Sequence, residues 1–297
     1  MTDRGAIALP RRPRVPIPAG ACDSHAHVFG DPAVFPLVAP VAYPVPDAPA
    51  ELHYAAARRL GLDRGVLVQP AVYGEDHRAM IDAMARFPGR LRGVGLGGAE
   101  TSDDTFERLH AAGVRALRFV EMRVPGTGRR FPGSVPVDAL ATLHPKLADR
   151  GWHAEIWAPP EACAAIARNH ASDAVPLVFD HLAGAGVDDD PNDDAYRRLR
   201  ATLERGCIWI KLSICRIGPR RADYPRARRF HTALAAANPE RLVWGSDFPF
   251  LRKGAEAPDG GWLLDRCREW LGTDALFHRI LVTNPAKLYS FEGDRHE

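Results

Sequence analysis

The chain has 297 residues, 46% hydrophobic and 26% charged, with a formal net charge of +2; this is an ordinary globular balance that gives nucleic acid no global claim on it. Its five cysteines, Cys22, Cys163, Cys207, Cys215 and Cys267, are odd in number and lack C-x-x-C spacing, against a zinc ribbon and a disulfide framework. No uncharged apolar run reaches the roughly 18 residues of a membrane span, and residues 1–20 lack the apolar stretch of a secretory signal, so a cytoplasmic protein with no membrane partner is expected.

After the irregular, Pro-rich leader of residues 1–20, apolar runs rich in β-branched residues predict strands in "ACDSHAHVF" (21–29), "GVLVQPA" (65–71), "LRGVGL" (91–96) and "GVRALRFV" (113–120). Four more follow in "WHAEIWA" (152–158), "VPLVFD" (175–180), "CIWIKLS" (207–213) and "RLVWGSD" (241–247). Helix-like stretches alternate with them, from "PAELHYAAARRLG" to "GGWLLDRCREWLG", several closing on Gly or Asn. Eight strand–helix repeats predict an α/β fold, a single (β/α)8 TIM barrel over residues 21–297. An open doubly wound sheet is the alternative, but no G-x-G-x-x-G follows the first strand and no P-loop pattern occurs. Segments 122–136, 184–194 and 216–225 are expected as loops after strands four, six and seven.

Strand alternation turns His25 and His27 to one face, where two imidazoles can converge on a metal, a water or a substrate oxygen. Twelve histidines in such a chain give roughly 0.5 His-x-His pairs by chance, so the pair needs support. The C-terminal ends of barrel strands share one mouth. There the first strand offers His25 and His27, the second Gln69 and Tyr73, the fourth Arg118 and Arg123, the sixth His181, the seventh Arg216 and the eighth Asp247. Lys211 is expected to face the helices or to pair with Asp180, outside the catalytic set. A carboxylate facing histidines suits hydrolysis, with Asp247 accepting a proton from water and imidazoles polarising a carbonyl. The arginines suit an anionic substrate.

With these residues in place, the sequence resembles the amidohydrolase superfamily, in the lactonase branch of 2-pyrone-4,6-dicarboxylate lactonases, from "PIPAGACDSHAHVFG" through "LRFVEMR", "VFDHLAG" and "RLVWGSDFP" to "LVTNPAKLY". The resemblance implies a small anionic lactone as substrate, with His25, His27 and His181 around its carbonyl and leaving oxygen and Asp247 as general base. It further implies that Arg118, Arg123 and Arg216 hold substrate carboxylates, with Tyr43, Gln69 and Tyr73 completing the pocket. Strand four ends in Arg118 where many amidohydrolases carry a lysine, so a binuclear centre is not expected, and hydrolysis without a metal cofactor is. One divalent ion, zinc or manganese, on His25, His27, His181 and Asp247 is the alternative, in an amidohydrolase or decarboxylase; a non-catalytic binder of anions is another. A monomer or homodimer is expected.

Overall fold

A computed structural model describes residues 7–38, 41–171 and 174–291. The strands are β1 (Cys22–Ala26), β2 (Arg64–Val68), β3 (Leu91–Gly95), β4 (Val114–Val120), β5 (His153–Trp157), β6 (Leu177–Phe179), β7 (Ile208–Lys211) and β8 (Leu242–Val243). Between and after them run α1 (Ala50–Leu60), α2 (Arg78–Arg86), α3 (Asp103–Ala111), α4 (Ala139–Asp149), α5 (Pro160–His170), α6 (Asp194–Glu204), α7 (Arg228–Ala237) and α8 (Gly260–Leu271). Every neighbouring strand pair is parallel and the order is sequential. The sheet closes on itself: Ser24 N donates to Trp244 O at 2.9 Å, His27 N to Phe248 O at 2.7 Å and Asp247 N to His25 O at 2.8 Å. This is a TIM barrel. No helix among the described residues is long and apolar enough to cross a membrane.

Local chemistry explains the helices. α3 starts where the Ser102 side chain accepts from Thr105 N, carries Asp103 and Asp104 against its positive end, and buries Phe106 and Leu109. α8 is capped by Asp259 accepting from Trp262 N and stops at Gly272, whose φ of 79° few other residues adopt. One face of the strands packs against such helices. The other meets in the barrel interior: Cys22, Val66, Val68, Val94, Ala116, Val178, Trp209 and Val243 form one buried cluster with Leu288, Tyr289 and Phe291. β5 contributes no apolar residue to this cluster and places His153 and Glu155 inside instead.

Four features depart from the periodicity. β8 keeps regular strand pairing only over Leu242–Val243, because the chain then turns to follow β1. Residues Arg221–Ala227, partly expected as loop, form a 3-10 helix leading into α7. Beyond α8 the chain adds α9 (Asp274–His278), a π-helical stretch (Arg279–Thr283) and α10 (Asn284–Leu288), which bring Tyr289 beneath the barrel. Leader residues from Ile7 onward are irregular yet docked: Arg11 N and Arg14 N donate to Asp259 and Asp265, and Arg59 donates to Pro10 O.

Candidate active site

The junction of β1 and β8 sets the site. A register shift between Asp23 and Ala26 breaks simple alternation in β1 and re-aims His25 and His27, whose rings lie edge to face at 5.0 Å. Gly245 allows the close approach, since a Cβ there would lie 2.6 Å from His25 Cβ. Asp23 locks the two strands by accepting from Ser246 N at 2.8 Å and His25 N at 3.1 Å; burial, opposed by these bonds, raises its pKa to about 6. Asp247 and His181 occupy the left-handed region, with φ of 65° and 52°. For non-glycine residues this costs on the order of 1–3 kcal/mol each, and it projects both side chains across the mouth.

Asp247 is fully buried and doubly held: its Oδ2 accepts from Arg216 Nε at 2.6 Å and from the Cys215 thiol at 2.9 Å. Its Oδ1 faces His27 Nε2 at 3.3 Å and His25 Nε2 at 3.7 Å. Burial alone would raise its pKa, but the Arg216 guanidinium and nearby imidazoles hold the carboxyl well below the usual range. Burial also drives the imidazoles neutral, His25 to about 4 and His181 well below its ordinary value. His27 Nδ1 sits 2.7 Å from Val68 O; a carbonyl only accepts, so Nδ1 carries a proton and Nε2 is the nitrogen turned toward Asp247.

Lys211, set aside in the sequence, is buried at the centre of this arrangement. Its Nζ lies 2.6 Å from Glu155 Oε2, 3.4 Å from Asp180 Oδ1 and 3.2 Å from His25 Nδ1. An ammonium only donates, so this contact makes His25 Nδ1 an acceptor and leaves the ring proton on Nε2, the nitrogen 3.7 Å from Asp247 Oδ1. Arg118 Nε donates to Asp180 Oδ2 at 2.9 Å, and Tyr289 Oη donates to Glu155 Oε1 at 2.8 Å. Against burial, Lys211 and Arg118 hold Asp180 well below its ordinary pKa, and Lys211 lowers Glu155.

A chamber of about 40 Å³ over these groups is lined by His27, Tyr43, Arg118, Trp157, His181, Arg216, Asp247 and Arg252, among others. Burial raises the Tyr43 phenol to about 12 despite the pull of Arg118, Arg252 and Arg216. The remaining candidates lie elsewhere. Arg123 is exposed on the loop after β4, 3.6 Å from Glu121, which also takes Arg130 at 3.0 Å. Gln69 donates to Gly74 O and Asp76 O, and Tyr73 Oη accepts from Gly30 N, so both brace the turn after β2. Lys211, Glu155, Cys215, Trp157 and Arg252 join the site without having been singled out for it. Lys211 and Glu155 carried a readable signal, charge inside apolar strands; Arg252 carried none.

Among the described residues two sets of donor atoms could bracket a metal ion, His25, His27 and Asp247 in one and His25, Asp180 and His181 in the other. Both need a lone pair from His25. With Lys211 on Nδ1, His25 Nε2 bears hydrogen, and Lys211, Arg118 and Arg216 surround the centre with positive charge. His27 and Asp247 suit a divalent ion; the set as a whole does not fit one.

The family model described as Amidohydrolase matches residues 22–291. A 4-sulfomuconolactone hydrolase of Rhizobium radiobacter is 34% identical over 92% of this chain and 91% of its own length. A 2-pyrone-4,6-dicarboxylate hydrolase of Comamonas testosteroni is 30% identical over 95% and 94%. A solved structure from Agrobacterium tumefaciens shares the fold at a TM-score of 0.82 and 23% identity, covering 95% of this chain and 98% of that one. With a barrel whose first, sixth and eighth strands deliver His25, His27, His181 and Asp247 to one mouth, the chain belongs to the amidohydrolase family.

Proposed function

We propose that this chain is a hydrolase that opens a carboxylated lactone without a metal ion. One observation carries the reading: His25 Nε2, His181 Nδ1 and Asp247 Oδ1 are buried at the pocket with no hydrogen-bond partner among the described residues, an expensive arrangement that a polar ligand would relieve. Both relatives named above are lactone or pyrone hydrolases by name.

In this reading a water held between His27 Nε2 and Asp247 Oδ1 loses a proton to Asp247 and attacks the lactone carbonyl. His25 Nε2–H and His181 stabilise the oxyanion. The tetrahedral intermediate collapses with cleavage of the ring C–O bond, and the proton on Asp247 passes to the departing oxygen, so the products are one acid and one hydroxyl or enol group. Arg118 and Arg216, each already bearing an internal carboxylate, border the bound ring. The test is turnover of a panel of carboxylated and sulfonated lactones by purified protein, with metal content measured on the same sample. Asp247→Asn is expected to lower kcat by about 10²–10⁴ while binding persists. Near-normal turnover by that variant would remove Asp247 as base, and activity that disappears with chelation and returns with a stoichiometric metal would overturn the metal-free route.

A further inference from the structure

The charges that line or underlie the pocket largely cancel in pairs: Arg118 with Asp180, Arg216 with Asp247, Lys211 with Glu155. Arg252 is different. It lines the same chamber, yet its side chain forms no ion pair or hydrogen bond with any described residue. Two aromatic faces hold it instead, its guanidinium carbon lying 5.1 Å from the Phe131 ring centroid and 5.7 Å from that of Trp157. Such contacts with ring faces leave the N–H fork available to a planar or tetrahedral anion. Its backbone is left-handed, φ 67°, five residues beyond Asp247.

Its position adds a second constraint. Arg252, Tyr43 and Leu251 border both the narrow chamber and a larger, adjoining one of about 1460 Å³ lined by Leu37, Val45, Phe248 and Phe250 among others. A group bound at Arg252 therefore sits where the two chambers meet, beside the reacting centre and not beneath it. We propose that Arg252 is a specificity-determining residue that receives the anionic group of the substrate, a carboxylate or sulfonate, while the lactone carbonyl lies over Asp247. This rests on the lactone-hydrolase reading.

The test compares wild type, Arg252→Met and Arg252→Lys on a carboxylated lactone, its sulfonated counterpart and the uncharged parent ring. Arg252→Met is expected to lower the ratio of kcat/KM for the anionic over the uncharged lactone roughly 10- to 100-fold, the loss of a charge-assisted pair, through KM more than kcat. Arg252→Lys restores part of it. An unchanged ratio overturns the proposal, and so does an equal loss on charged and uncharged rings. Calorimetric binding of pyridine-2,4-dicarboxylate separates the two readings. If wild type hydrolyses no lactone, the hydrolase reading falls, while weaker binding of this diacid by Arg252→Met still supports the anion site. Equal binding by both proteins, or none by wild type, overturns it.

Discussion

At and beneath the floor of the pocket, Lys211, Glu155, Asp180 and Arg118 pair their charges with one another, whereas at its mouth Arg252 meets two aromatic rings and forms no ion pair among the described residues. The lower cluster has no choice: Lys211, Glu155 and Asp180 are fully buried, and an unpaired charge there would cost several kcal/mol. The mouth is in contact with solvent, so a cation there can stay unpaired at little cost. Pairing beneath fixes geometry, above all which nitrogen of His25 carries its proton.

Lys211→Met tests the lower half most severely. It strands Glu155, leaves Asp180 with Arg118 alone and frees His25 Nδ1, so a stability loss of about 3–5 kcal/mol is expected, seen in urea unfolding, together with loss of turnover. The double variant Lys211→Met/Glu155→Gln removes the stranded charge and should recover much of the stability. It should not recover kcat, because His25 still lacks the contact that sets its tautomer. Recovery of both would reduce Lys211 to a structural residue and dissolve the contrast between the two regions.

The barrel is legible in the sequence because each strand is a short apolar run with its own helix behind it, and His25, His27, His181 and Asp247 are legible as polar residues at strand ends. What surrounds them is not. The partners of Lys211 lie on β5 and β6 and in the β1 histidine, 56 residues away for Glu155 and 186 for His25, so alternation alone leaves its direction undecided. The turn that aims Arg252 depends on left-handed backbone at Asp247 and Phe250, which no local residue preference announces. Leu288, Tyr289 and Phe291, which close the base of the barrel, are too few to show a period. Arg123, at a strand end by count, falls beyond β4 on a loop and reaches Glu121 instead.

Acid should separate paired from unpaired burial. The depressed carboxylates of Asp180, Glu155 and Asp247 stabilise the fold above their unfolded values near 4, and that contribution is lost below. Buried histidines act earlier. Burial lowers His53 to about 4 and His231 to about 3, against an ordinary value near 6.5. As pH falls below 6.5 the unfolded chain takes up these protons first, so stability declines from there down through the folded values. His231 is nearly solvent-free, packs its ring at 5.4 Å from Trp270, and has no partner for either nitrogen among the described residues. His231→Phe should therefore leave stability at pH 7 equal or higher and reduce its loss between pH 6.5 and 4 by about 1–3 kcal/mol. Urea midpoints at pH 7, 5.5 and 4.5 check this; an unchanged pH slope would place the acid lability in the charge cluster instead.

Cys215 joins the two halves and gives the smallest expected effect. Burial and the neighbouring Asp247 carboxylate raise its thiol well above the ordinary value, so it stays protonated and donates to Asp247 Oδ2, beside the bond from Arg216. That donor favours the ionised form of Asp247. Removing it in Cys215→Ala makes protonation of Asp247 easier, so the acid limb of kcat/KM should move upward by about half a unit to one unit, with kcat within about tenfold of wild type. Cys215→Ser keeps a donor and should keep the limb in place. If Ala and Ser variants share one profile, the thiol only fills space, and the low pKa of Asp247 belongs to Arg216 and the histidines alone.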